Sequence, residues 1–330
     1  MSRDGPRRGL RARLAWLLKL LCSGALLWYI AGRISLHGLG DALAGADPAL
    51  LGLGLALSAG GMAAAAQQLR AVGERQGISL STRDALALNL ATSFYNLFLP
   101  GAVAGGVARW YRLARGHSAA QPIAALAVIL GSRIVELATV LIAGLLFWAA
   151  DPLARSNHLV PATFAGLLVG LAFTVRVATD PRRRLPLPLP LPPAWRVRLG
   201  TARDALSRFR DMPPRTLRRL AAASAARHLF MIGGLYCFAL ALHLPLTLAV
   251  AGWTRTVVAL AGMLPVTLGG LGVREGSLIA VLHPYGIPPH GAAALGLLLF
   301  GREVLAGAVG AIIETRWFLS PGAAVPRTRG

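Results

Sequence analysis

Apolar runs separated by short arginine-bearing stretches dominate the chain. They cover Leu14–Ile30, Pro48–Ala66, Asp84–Pro100, Pro122–Ala150, Leu159–Thr179, Leu220–Leu242, Leu248–Thr267 and Ala292–Ile313. A membrane-crossing helix needs about 20 such residues, and several of the runs reach that length. Two runs behave differently. Asp84–Pro100 spans only about 24 Å as a helix and breaks at LPGAVAGGVARW, and Leu248–Thr267 breaks at LPVTLGGLGVREG. The pattern predicts an all-α polytopic membrane protein with six to eight transmembrane segments, built as two inverted repeats, each with a broken or re-entrant hairpin.

The distribution of charge orients the runs. Arg3, Arg7, Arg8, Arg11 and Arg13 precede the first run, and Arg70 and Arg75 sit in the polar stretch QQLRAVGERQG that is expected to close the second as a loop. Residues 180–219 carry eleven arginines and three aspartates. Basic residues concentrate on the cytoplasmic side, so the N-terminus, this linker and the tail with Arg316, Arg327 and Arg329 are all expected on the cytoplasmic side of a cell membrane. A first break that dips in and returns keeps Arg109, Arg112 and Arg115 inside as well. One hairpin then enters from the cytoplasm and the other from outside, and a reading in which both cross fully remains open. The expected divisions are 1–13 (basic N-terminus), 14–179 (first membrane repeat), 180–219 (linker), 220–318 (second membrane repeat) and 319–330 (tail).

Within the linker, LPLPLPLPP (185–193) suits a polyproline II strut. After it, Trp195, Leu199, Ala202, Leu206 and Phe209 recur at helical spacing with arginines between them. This predicts a basic amphipathic helix, either lying on anionic lipid or packed beneath the membrane helices.

Composition removes the competing classes. The chain is 55% hydrophobic and 14% charged, against about 25% charged for soluble domains. Its net charge of +21 would suit a nucleic-acid binder, but such a chain would not be this apolar. Lys19 is the one lysine, a bias better explained by coding composition than by guanidinium chemistry. Cys22 and Cys237 lie inside apolar runs and read as small buried or lipid-facing residues, not as a disulfide or metal set.

The candidate chemistry lies in the repeat. Leu99-Pro100-GAVA-Gly105-Gly106-VA-Arg109 is matched by Leu264-Pro265-VTL-Gly269-Gly270-LGV-Arg274, and each is followed inside the next span by an Arg/Glu couple, Arg133 with Glu136 and Arg302 with Glu303. A charge at the bilayer centre costs ~2.5–3.5 kcal/mol on insertion scales, so these side chains must face protein or water. They serve either as ion pairs that lock helix to helix or as the walls of a polar passage. Backbone N–H groups at a glycine pair can approach an anion, and a neighbouring guanidinium fits phosphate oxygens. Glu275, next to Arg274, is expected to neutralise it.

The stretch from Asn96 through Arg109 and the stretch 264–275 resemble the lysylphosphatidylglycerol-synthase transmembrane-domain family, the flippase-like integral membrane proteins, over roughly residues 14–318. By this resemblance Asn96, Pro100, Gly105, Gly106 and Arg109 match one signature. Pro265, Gly269, Gly270, Gly272, Arg274 and Glu275 match the other. Val107 departs, standing where relatives often carry an acid. The resemblance implies movement of an anionic or modified lipid between leaflets, with a phospholipid or a polyprenyl phosphate as the membrane partner. The family's soluble aminoacyl-transfer domain is not expected in the short stretch after residue 318, so the chain would not make the lipid itself.

An enzyme acting on lipid phosphate is disfavoured, because DDxxD, HExxH and GxSxG patterns are lacking; no cofactor or metal is called for. The alternative is a non-catalytic membrane partner that docks a lipid-modifying enzyme or glycosyltransferase through the linker.

Overall fold

A computed structural model describes residues 36–98, 103–114, 121–156, 159–180, 193–210, 212–263 and 272–319. Among these lie twelve α-helices and no strand. They are α1 (Leu36–Ala44), α2 (Pro48–Arg75), α3 (Thr82–Phe98), α4 (Val103–Ala114), α5 (Gln121–Ala150), α6 (Pro152–Arg155), α7 (Leu159–Thr179), α8 (Pro193–Ser207), α9 (Pro214–Ala241), α10 (Leu248–Met263), α11 (Val273–Leu282) and α12 (Pro289–Leu319). Five of them, α2, α5, α7, α9 and α12, are long and apolar enough to cross a membrane. The chain is a multi-pass membrane protein. The first apolar run, the polyproline stretch 185–192 and the tail beyond 319 lie outside the described residues.

Local sequence sets the helix ends. Asp47 accepts from the N–H groups of Ala49 and Leu50 at 2.8 and 3.2 Å, with Pro48 at the first helical position of α2. This satisfies donors that a helix cannot pair internally. At the far end α2 overruns the expected boundary: QQLRAVGER is helical to Arg75 rather than a loop. Ala, Gln, Leu, Arg and Glu are all good helix formers, and the chain turns only at Gly77, whose φ is +76°. The short helix α1 sets Leu39, Ala42 and Leu43 against the packed interior.

Helix α2 packs along α9, and α3 along α12. The first contact depends on small residues. A Cβ at Gly54 would meet the Phe238 ring and the Gly234 carbonyl, and one at Gly234 would meet Ser58 and the Gly54 carbonyl. Such residues let membrane helices approach closely. The partner relations recur in the two halves. α3 packs on α4, and α4 on α5; α10 packs on α11, and α11 on α12; α10 crosses to α5 as α3 does to α12.

Among the described residues two apolar cores form, and they share no side chain. One gathers Val72, Ile78, Leu80, Leu88, Leu113, Val128 and Leu220, with Phe209 and Met212 against it. The other gathers Ile232, Phe238, Leu244, Leu246, Leu278, Leu282 and Ile287. Helix α9 passes from the first core at Leu220, through Arg227 and His228, into the second at Ile232. The cores therefore occupy opposite ends of the bundle with a polar layer between. The outer faces stay apolar: Leu146, Val169, Phe173 and Phe318 are each more than 60% exposed, as lipid contact requires.

The linker helix α8 packs on α5 and α7. The Phe209 ring that follows it lies where a Cβ on Gly131 would be, and Ala205 is fully buried. The helix packs beneath the membrane helices, the second of the two expected arrangements, although Leu199 of its apolar stripe stays exposed.

Candidate functional site

Five helices, α2, α3, α4, α5 and α9, enclose a cavity of about 160 Å³ in the polar layer. Its charged wall is Arg109, Arg133, Glu136 and Arg227; Gln68, Asn89, Thr92, Ser93, Asn96 and Ser132 add uncharged polar groups. The charged wall lies at mid-length of the spanning helices. Glu136 is the sixteenth of the 30 residues of α5, and Arg227 the fourteenth of the 28 of α9.

Glu136 is shared. Its Oε1 accepts from Arg227 at 2.9 Å and its Oε2 from Arg133 at 3.1 Å, which ties α5 to α9. Arg109, also at the cavity, donates from Nε to Thr92 Oγ1 at 3.2 Å and has no carboxylate within 4 Å among the described residues. Three buried polar atoms of the wall, Asn89 Nδ2, Asn96 Oδ1 and Ser132 Oγ, have no hydrogen-bond partner among the described residues. A buried polar group left in this state costs about 1–3 kcal/mol.

The second cluster lies on α11 and α12. Arg274 and Glu275 are 7% and 5% exposed. Arg274 reaches Glu303 Oε2 at 2.8 Å, and Arg302 reaches Glu303 Oε1 at 3.3 Å. Glu275 does not neutralise Arg274 as expected; it turns back and accepts the Gly272 N–H at 2.7 Å. Gly272 has φ +82°, and a carboxylate three residues on is placed to close that helix start. Glu303 is the fifteenth of the 31 residues of α12, so this cluster too lies at mid-depth. The two clusters adjoin, since Arg302 NH1 lies 3.3 Å from Sδ of Met231, a cavity residue.

Asn96, Gly106, Arg109, Arg133 and Glu136 thus meet at one cavity, while Arg274, Arg302 and Glu303 form the neighbouring cluster. Gly105 packs against the side chains of Asn96 and Thr92. The glycine pair lies in the first turn of α4, where N–H groups lack helical partners, and not in an open loop. Pro100, Pro265, Gly269 and Gly270 lie outside the described residues. Val107, the position that departs from the relatives, is 55% exposed and is not part of the cavity wall.

A sequence model of the lysylphosphatidylglycerol synthase TM region matches residues 16–310. The chain belongs to that family. The matched span takes in every described element of the cavity and of the Arg274–Glu303 cluster, so both are features of a lysylphosphatidylglycerol synthase TM region. No curated protein matches the chain in sequence.

Arg227, His228 and Arg255 were not anticipated. Each sits inside an apolar run, the criterion that singled out Arg133, but none belongs to the repeated motif, and Arg227 follows closely on the linker's arginines. Charge within a span, taken without the repeat, would have found all three.

Proposed function

We propose that the protein moves an anionic or modified lipid between the leaflets of a cell membrane, with the polar layer carrying the head group while the acyl chains stay in lipid. The observation that carries this reading is the mid-depth cavity in which Arg109 has no carboxylate partner beside three unpaired buried polar atoms. A phosphate would satisfy the guanidinium's forked donors and the amide and hydroxyl donors of the wall. The ion pairs around Glu136 and Glu303 also brace the helices, and both duties are compatible.

Two inverted repeats with re-entrant hairpins are part of the same proposal. Leu80, before α3, and Leu113, near the end of α4, lie in one core; Leu246, before α10, and Leu282, at the end of α11, lie in the other. This supports a chain that enters and leaves each broken segment at the same end of the bundle. Irregular backbone at membrane depth is tolerated where it faces a cavity, and paired broken helices meeting near the midplane suit a transporter.

The test is lipid translocation in liposomes reconstituted with the purified chain, read by dithionite quenching of fluorescent lipid. Loss of a charge-assisted hydrogen bond costs about 1.5–3 kcal/mol, so the combined Arg109→Ala, Arg274→Ala variant should move lipid about ten- to a hundredfold more slowly. Equal rates would remove these arginines from the passage.

A further inference from the structure

The charge and the size of the cavity between α2, α3, α4, α5 and α9 together describe its occupant. The charged groups on its wall are Arg109 from α4, Arg133 and Glu136 from α5, and Arg227 from α9; α2 and α3 contribute only uncharged residues. Three guanidinium groups thus face one carboxylate. Arg133 and Arg227 already share Glu136, and Arg109 spends its Nε on Thr92. The wall is left with an excess of two positive charges. Unbalanced charge at mid-depth is costly, and an occupant that brings two negative charges removes that cost.

The unpaired atoms point the same way. Asn89 Nδ2 and Ser132 Oγ can donate and have no partner among the described residues, whereas Asn96 Oδ1 lies against Gly105 of α4. A volume of about 160 Å³ is close to the ~150 Å³ of an engineered cavity that holds one benzene ring. That space takes a phosphate group, but not a phosphate with glycerol, an amino acid or a sugar attached beyond it. A phosphate monoester carries about −1.5 to −2 charges at pH 7, whereas a diester carries a single one.

We infer that the cavity binds the terminal phosphate of a lipid, a phosphate monoester with nothing attached beyond it, and that Arg109, Asn89 and Ser132 are its contacts. The inference rests on the lipid-passage reading above and narrows its substrate.

Binding and movement are measured separately, so that failure of one is not mistaken for failure of the other. In detergent, the melting of the full chain is titrated with phosphatidic acid, phosphatidylglycerol or inorganic phosphate. Phosphatidic acid should bind about tenfold more tightly than phosphatidylglycerol, a difference of ~1.4 kcal/mol. The preference should shrink as pH falls below the phosphate's second ionisation, near pH ~6 for a monoester. The diester has no such step, so a protein group that titrates there acts on both lipids and leaves the preference unchanged. Arg109→Gln should lose the preference, and Arg109→Lys should keep part of it. Ser132→Ala should leave the lipid-free chain at least as stable, because it removes an unpaired buried hydroxyl, and still weaken phosphatidic acid binding. In liposomes, tail-labelled phosphatidic acid should move faster than the phosphatidylglycerol analogue. If phosphatidic acid is preferred in binding yet neither lipid moves, the phosphate site stands and the transport reading falls. If both lipids move but bind equally, the transport reading stands and the inference falls. A preference indifferent to pH, or one that survives both Arg109→Gln and Ser132→Ala, also overturns it. Stabilisation by inorganic phosphate equal to that by phosphatidic acid assigns the site to a soluble anion and overturns the lipid.

Discussion

Asp151 is 4% exposed and holds together three parts of the chain. It caps α6 by accepting the Leu153 N–H at 3.2 Å, accepts the Trp253 indole N–H from α10 at 3.1 Å, and accepts the Tyr285 hydroxyl from the turn between α11 and α12. Burial first, and then the hydrogen bond to Asp151, push the Tyr285 hydroxyl above its ordinary pKa. An unfolded tyrosine ionises near pH ~10, so the folded chain resists a deprotonation that the unfolded chain accepts. The contribution is complete below that pH and is lost as pH rises beyond it. Melting in detergent should fall more steeply above pH ~10 for wild type than for Tyr285→Phe, which should cost about 0.5–1.5 kcal/mol at neutral pH because Trp253 still serves the carboxylate. At this scale the sequence was partly readable. The repeat exposed Arg109 and both Arg/Glu couples, but Glu136's second partner, Arg227, lies 91 positions away, and no local spacing reveals such a contact.

At the scale of elements, helix contacts set by single glycines make sharp predictions. A Cβ at Gly310 of α12 would run into the Leu90 carbonyl oxygen of α3, whereas one at Gly301 on the same helix meets nothing within 4 Å. Backbone cannot yield as a flexible side chain can. Gly310→Ala should therefore destabilise the detergent-solubilised chain by about 1–3 kcal/mol. Gly301→Ala should be neutral or slightly stabilising, since glycine is the poorer helix former by ~1 kcal/mol; thermal melts of the two compare them directly. The apolar runs located the long helices because length and hydropathy are local properties. The end of α2 was misplaced, because polarity marks where a helix leaves lipid rather than where its hydrogen bonding stops. Whether α8 would meet lipid or protein was undecidable from its pattern, since an apolar stripe fits either surface; Phe209 against Gly131 decides it.

Across the whole molecule, the stretches beside the first core and those beside the second should face opposite sides of the membrane. On a background without Cys22 and Cys237, Glu74→Cys and Ser207→Cys should react with an impermeant maleimide from one side. Ser156→Cys and His283→Cys should react from the other. Full crossing by both broken segments would put Glu74→Cys and Ser207→Cys on opposite sides. The likeness of the two motifs is a property of the sequence, in which each keeps its own Leu-Pro, glycine pair and arginine. The way the halves close on each other is not legible there, because it depends on α2 against α9, a contact between elements in different halves.

Because the two apolar cores have no side chain in common, the bundle behaves as two cooperative units clasped through a polar waist. Loosening one end gives up only that end's buried surface and leaves the other intact as a seal. A single continuous core would have to yield as one block. In the lipid-passage reading proposed above, a bundle divided in this way would open at one face while the other stays sealed.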